Sequence, residues 1–369
     1  MSNEPLDYAA AGVDYERIDA LKIRAQRAAH STARHLSGHG AREIERSRGE
    51  SAYVVEIGGL LVASITECLG TKALVADAVR PLTGRTYYDA LAQDTIAMAV
   101  NDLITVGATP ISVHAYWAAS GSDWFSDVAR MEDLVRGWQS ACDRCRVAWG
   151  GGETPALAGV IAAGRIDLAA SCVGVVQPRE RLTLGDGLAS GDAIVLLASS
   201  GIHANGISLA RKLAERVPGG YAAPLPGGRR FGEALLDPTV LYPPVLEALW
   251  AAGIIPRYCV NITGHGWRKL MRHPGEFTYH MRTLPPVPEV LAYMQREALL
   301  DDREAYGTLN MGAGFALFVA PEVAAETVRL ARAAGIEAWT AGEVERGPRR
   351  VLIEPLGIRY SADELNLRG

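Results

Sequence analysis

Asp94-Thr95-Ile96-Ala97-Met98-Ala99-Val100-Asn101-Asp102-Leu103, inside a predicted helix spanning residues 89–106, is the stretch on which the reading of the chain turns. Around it Leu91, Ala92, Ile96, Met98, Val100, Leu103, Ile104 and Val106 leave almost no polar face. A helix apolar nearly all round belongs in a core or a subunit interface. It nevertheless carries Asp94, Asn101 and Asp102. A carboxylate removed from water without a partner is too costly to stay charged, so these groups should meet a cation or several donors. Asp94 and Asn101 share a face but stand about 10 Å apart along the axis, too far for one ion to touch both. Either two magnesium ions are present, or Asn101 secures the loop that holds one. The purely structural alternative makes Asp94 a helix cap and leaves Asp102 in solvent.

Working outward, residues 53–66 read as two strands joined at Gly58-Gly59, a hairpin signal. The second strand runs out in Thr66-Glu67-Cys68-Leu69-Gly70-Thr71-Lys72. A carboxylate, a hydroxyl and an ammonium at one strand end suit Mg²⁺ together with phosphate oxygens. The stretch is not a Walker loop, because only one glycine precedes the lysine. Gly150-Gly151-Gly152-Glu153-Thr154 offers backbone N–H groups for a close approach to an anion, with Glu153 beside them. Ser199-Ser200-Gly201-Ile202-His203-Ala204-Asn205-Gly206 turns from strand into helix, where free N–H groups favour phosphate and His203 and Asn205 project. Thr263-Gly264-His265-Gly266 is a third corner of this kind. Three such corners in a chain with these acids point to a phosphate-rich ligand. Taken singly, His203 reads more readily as a structural histidine than as a binding one.

The 369 residues exceed the usual size of one hydrophobic core, so two domains are expected, with the boundary at the polar Gln177-Pro178-Arg179-Glu180-Arg181 break. Helices are expected over 127–145, from Asn205, and over 322–334. Strands are expected at 111–116, 147–151, 168–176, 193–198, 314–320 and 351–353. Strands and helices mix without steady alternation, which favours an α+β class. A net charge of −5 with scattered basic residues argues against a nucleic-acid surface. No run of some 18 apolar residues and no basic leader followed by an apolar stretch occurs, so a cytoplasmic location is expected. Cys142 and Cys145 lack a second pair at zinc spacing and are expected to be packing residues on a helix.

Taken in order, these segments resemble the aminoimidazole ribonucleotide synthetase (phosphoribosylformylglycinamidine cyclo-ligase) family. The resemblance starts at Tyr8-Ala9-Ala10-Ala11-Gly12-Val13-Asp14 and continues through the 94–103 helix, Gly107-Ala108-Thr109-Pro110 and Gly151-Gly152-Glu153-Thr154. It closes with Ser199-Ser200-Gly201, Asp237-Pro238-Thr239 and Asn310-Met311-Gly312-Ala313-Gly314. It implies a two-domain ATP-binding fold, residues 1–176 for ATP and dimerisation through a β-barrel-like sheet and 177–369 a second α+β unit. It implies ATP and Mg²⁺, a homodimer, and ring closure of formylglycinamidine ribonucleotide through a phosphorylated amide oxygen. Carried over by position, Glu67, Asp94, Asn101 and Asp102 would hold metal. Gly70, Thr71, Lys72, Gly150, Gly151, Gly152 and Glu153 would hold ATP, and His203, Asn205 and Thr263 the substrate, with His203 and Lys72 acting in catalysis. The chain departs from the family pattern at Glu67 (Asp), Ala115 and Ala156 (acids) and His265 (Gly), and Lys22 falls four residues short of a usual lysine. These departures admit a relative that activates another small acceptor with ATP, as selenophosphate synthetase or thiamine-monophosphate kinase does.

Overall fold

A computed structural model describes residue 6, residue 12, residues 15–365 and residue 367; the 8–14 opening motif, Gly12 apart, lies outside the described residues. The first half contains α1 (Tyr15–Thr32), β1 (Ala41–Glu43), β2 (Tyr53–Ile57), β3 (Leu60–Cys68), α2 (Lys72–Thr83), α3 (Tyr88–Leu103), β4 (Thr109–Ala119), α4 (Val128–Cys145), β5 (Ala148–Glu153) and β6 (Ile166–Val176). Its strands form one sheet in the order β1-β2-β3-β6-β4-β5. Gly58 and Gly59, at φ of +58° and +84°, close the β2–β3 hairpin, a left-handed pair that suits the twist of the strands they join.

The second half follows with β7 (Ala193–Ala198), α5 (Ile207–Arg216), α6 (Phe231–Leu235), α7 (Pro243–Ala251), β8 (Tyr258–Asn261), β9 (Phe277–Met281), α8 (Glu289–Glu297), α9 (Asp302–Thr308), β10 (Ala313–Val319), α10 (Ala324–Ala333), β11 (Ala338–Arg346), β12 (Arg350–Ile353) and β13 (Ile358–Ser361). These strands make a seven-stranded mixed sheet, β13-β12-β9-β11-β7-β10-β8. Every residue of β10 is buried because both faces of the sheet are covered. Val195, Leu197, Phe315 and Leu317 pack beneath Leu246, Leu249 and Ala331 on one face. Ile194, Leu196 and Phe318 join the main core on the other. Each such side chain withdrawn from water contributes about 1.5–3 kcal/mol.

That main core does not stop at the halfway point: it runs from Val54, Leu61 and Ala63 of the first sheet through α3 to the second sheet. α3 lies between the two halves and packs on β3, β6 and α4 on one side and β8 on another. This placement accounts for its apolar circumference, and Gly107 ends the segment in a left-handed turn at φ +81°. α4 is capped by Asp127, whose side chain accepts the Arg130 N–H, and it turns Cys142 and Cys145 into the core. Among the described residues no helix is long and apolar enough to cross a membrane.

Candidate functional site

The polar residues of α3 go to two different places. Near its start, Asp94 is fully buried and forms an ion pair at 2.7 Å with Lys72, also fully buried at the first position of α2. Oδ1 of Asp94 accepts the backbone N–H and the hydroxyl of Thr239, at 2.7 and 2.5 Å. Lys72 also donates to the Asp237 carbonyl at 3.0 Å. Burial is the largest influence on Asp94 and pushes its carboxyl upward, against the pull of Lys72 and Thr239. In the last turn of the helix, Asn101 donates to the Val240 carbonyl at 2.8 Å and accepts the Tyr242 N–H at 3.0 Å. Asp94 and Asn101 together therefore bind the 237–242 segment to α3. Asn101 thus secures a loop, and both carboxylate oxygens of Asp94 are occupied by protein groups.

At the far end, Asp102 faces a cavity of about 340 Å³ together with Glu67, Lys22, Asn205, Thr263 and Lys269. Glu67 comes from the end of β3, on the core-facing side shared with Leu61 and Ala63. Burial and then the nearby Asp102 charge push its carboxyl up to about 7. Asp102 accepts the Asn261 amide at 2.7 Å. Lys269 donates to the Asn261 carbonyl at 3.5 Å and to the Thr263 hydroxyl. The Asn205 side chain accepts the Gly264 N–H at 3.2 Å and donates to the Met98 sulfur at 3.8 Å. The structure thus brings together Glu67, Asp102, Asn205 and Thr263 from the expected set and keeps Asp94, Asn101 and Lys72 apart from them.

His203 is buried, at φ +59°, and does not line this cavity. Its Nε2 accepts the Ser200 N–H at 3.2 Å, and burial with the Lys72 charge lowers the imidazole to about 3, so it is neutral. Gly150, Gly151, Gly152 and Glu153 form the exposed edge strand β5 where a phosphate-binding turn was expected. Pairing places Glu67, Ala170, Ala115 and Gly152 in one row across the sheet. Three strand spacings, about 14 Å, thus separate Gly152 from Glu67. The glycines answer to packing: a Cβ on Gly152 would lie 2.2 Å from the Ala115 carbonyl oxygen, and one on Gly150 2.6 Å from the His114 ring.

Residues 49–176 match the family model described as AIR synthase related protein, N-terminal domain. A phosphoribosylformylglycinamidine cyclo-ligase of Symbiobacterium thermophilum is 34% identical, with 96% of this chain and 99% of the relative aligned. Its counterpart in an Anaeromyxobacter species is 35% identical over 93% and 96%. The chain belongs to the phosphoribosylformylglycinamidine cyclo-ligase family. The fold recurs in AaThiL complexed with AMPPCP and TMP, at 16% identity and a TM-score of 0.55, covering 85% of this chain and 91% of that one.

At two of the places where this cyclo-ligase family member departs from the pattern, the structure gives the new side chain a polar neighbour. Glu67 in place of the shorter acid extends to the neighbourhood of Asp102. His265 stands at φ +69°, a left-handed conformation that costs a non-glycine residue on the order of 1 kcal/mol. Its Nε2 lies 2.9 Å from Asp19 of α1, which ties that helix across the cavity beside Lys22. Sequence reading missed Lys269 and Arg272. Both follow Gly266 at spacings of three, the period of the short 3₁₀ helix Gly266–Met271 that aims them at the cavity while Trp267 and Leu270 enter the core. A helical period of 3.6 does not reveal that face.

Proposed function

We propose that this chain is an ATP-dependent ligase that closes formylglycinamidine ribonucleotide to aminoimidazole ribonucleotide in de novo purine synthesis. The observation that carries this reading is the cavity itself. Glu67 and Asp102 converge there from β3 and α3, with the cations Lys22, Lys269 and Arg272 around them. The curated relatives aligned over nearly the whole chain are named for this reaction. In it, the formyl amide oxygen attacks the γ-phosphorus of ATP and ADP departs. The neighbouring amidine nitrogen then attacks the activated carbon, and inorganic phosphate leaves as the ring closes. An amide oxygen leaves poorly until phosphorylated, which is why the reaction needs ATP.

The donor set fits a magnesium nucleotide. Among the carboxylates lining the cavity, Glu67 is pushed up to about 7 by burial and then by the Asp102 charge, and hard oxygen donors beside lysine and arginine suit Mg²⁺ with phosphates. Glu67 and Asp102 would hold the ion, which when bound neutralises charge on the phosphates during transfer. Asn205 and Thr263, already fixed to Gly264 and Lys269, would orient the ribonucleotide. Lys72 and Asp94 act one layer behind, by fixing the 237–242 segment. His203, uncharged and buried, holds the Ser199–Asn205 loop through its bond to Ser200.

The same reading makes the protein a cytoplasmic homodimer of two-domain subunits divided near residue 176. Exposed Ile57, Leu60, Ile111 and Trp149 on strands of the first sheet support a partner subunit there. The test is direct: pure protein with ATP, Mg²⁺ and formylglycinamidine ribonucleotide should release ADP and aminoimidazole ribonucleotide one for one. Absence of both products overturns the proposal. A second reading, activation of a different small acceptor, is favoured by Ala115 and by His265 at the cavity. It is the one that stands if the protein binds ATP but leaves this ribonucleotide unchanged.

A further inference from the structure

We propose that Lys269 is the ammonium that grips the terminal phosphate of the bound nucleotide, the part expected of Lys72. The inference rests on the nucleotide reading above and adds to it the identity of the phosphate-binding cation. Lys72 is fully buried and held by a carboxylate at 2.7 Å and a backbone carbonyl at 3.0 Å. Its charge is matched inside the fold, so it has no electrostatic need of a ligand.

Lys269 is in the opposite condition. It is 8% exposed and lines the cavity, yet its described hydrogen bonds go to neutral oxygens, the Asn261 carbonyl and the Thr263 hydroxyl. A lysine ammonium carries three donors, so one remains for a group in the cavity. An ammonium held out of water without an anion beside it is costly, and the fold keeps it by supplying a ligand, a counter-charge, or both. Asp102 and Glu67 supply part of that counter-charge across the cavity. Burial, with the nearby Arg272 and Lys22 charges, lowers the ammonium to about 8.

The position is also fixed from behind. Asn261 holds Asp102 with its side chain and meets Lys269 with its carbonyl. One residue at the end of β8 therefore sets the spacing between the acid that would face the metal and the cation that would face the phosphate. Thr263 fixes the ammonium from the other side, and Arg272 projects from the same face of the 3₁₀ turn, engaged with Ser51 at 2.7 Å and Gly49 at 2.9 Å. A phosphate oxygen between Lys269 and a metal on Glu67 and Asp102 would give the ammonium an anionic partner.

The experiment compares wild type, Lys269→Met and Lys269→Arg by calorimetric titration with Mg²⁺ and, separately, a non-hydrolysable ATP analogue, inorganic tripolyphosphate and AMP. Losing one charge-assisted contact predicts roughly 10- to 100-fold weaker binding of the analogue and of tripolyphosphate to Lys269→Met, with AMP affinity changed less than about twofold. Lys269→Arg, which keeps the charge, should recover at least about tenfold of that loss. Circular dichroism confirms the fold of each variant, and Lys269→Gln replaces the Met variant if it fails to fold. Unchanged analogue binding in the Met or Gln variant overturns the assignment while leaving the nucleotide reading intact, as does an equal loss for AMP. A wild-type protein that binds neither the analogue nor tripolyphosphate overturns both.

Discussion

Replacing Lys72 by methionine removes the cation from a fully buried ion pair and leaves Asp94 facing an apolar side chain. The 2.7 Å contact between two groups of zero exposure puts this pair in the regime where removing one partner costs about 3–5 kcal/mol. At about 2.1 cal/mol/K per residue, each kcal/mol moves the midpoint of a chain of 369 residues by roughly 1.3 °C, so the first thermal transition should fall by about 4–6 °C. The partner substitution Asp94→Asn restores much of this when combined with Lys72→Met. It keeps Oδ1 as acceptor for Thr239 and removes the uncompensated charge, leaving mainly the lost bond to the Asp237 carbonyl, worth about 1 kcal/mol. Differential scanning calorimetry of wild type, single and double variants reads the outcome. A drop under about 2 °C for Lys72→Met, or a double variant no better than the single one, refutes the reasoning. The same double variant separates the two roles open to Asp94. If it acts by holding the 237–242 segment, affinity for the magnesium nucleotide stays within about threefold of wild type once the protein is folded. A loss beyond a hundredfold would return Asp94 to the metal.

Glu67 gives a prediction in pH. Its carboxyl sits near 7 in the fold against an ordinary 4.5, so between those values the folded state holds a proton that the unfolded state has released. Stability measured in chelator should therefore fall as pH rises from 5 to 8, and Glu67→Gln should flatten that slope; parallel profiles would rule it out. Gly152→Ala drives a Cβ into the Ala115 carbonyl and should cost about 1–3 kcal/mol by urea unfolding, whereas Gly150→Ala meets a side chain that can move and should cost less. Nuclear magnetic resonance of labelled histidine should show the His203 ring neutral from pH 8 down to 5, because its imidazole is lowered to about 3; a midpoint near 6.5 would mean that the ring is solvated.

The elements that announced themselves in the sequence are those with one dominant periodicity. The β2–β3 hairpin, α3, α4, β6, β7, β10 and α10 lie within a few residues of the expected spans, because their burial is either alternating or continuous. β8, β9, β11 and β13 went unread: β8, β9 and β13 have only four or five residues, and β8 is buried along its whole length, so alternation is lost. At the site, residue types were legible and partners were not. Nothing local in Asp94-Thr95 says that a lysine 22 positions earlier will be its counter-ion. Nothing local in Gly150-Gly151-Gly152 distinguishes a backbone that must approach phosphate from one that must approach strand β4. Both choices are made by pairing at long range, Lys72 with Asp94 and Ala115 with Gly152.

The stripe Asp94, Met98, Asp102 on α3, at spacings of four, links these choices into one device. Asp94 holds Thr239, and the adjacent Pro238 carbonyl accepts the Ser200 hydroxyl at 2.7 Å, so the start of the 199–205 loop is referenced to the start of α3. The end of that loop is referenced to the middle of α3 through Asn205 and Met98, and Asn205 in turn fixes Gly264. Asp102 then fixes Asn261, two residues before Thr263. A single rigid helix thus sets the distance between the acids on one wall of the cavity and the two glycine corners on the other. Reactions that require an acceptor oxygen, a phosphorus and a nucleophilic nitrogen in sequence tolerate errors well under 1 Å, and side chains on rigid elements meet that demand better than loops. The ion pair at Asp94 matters to chemistry for this reason, although it lies about 12 Å along the helix from Asp102.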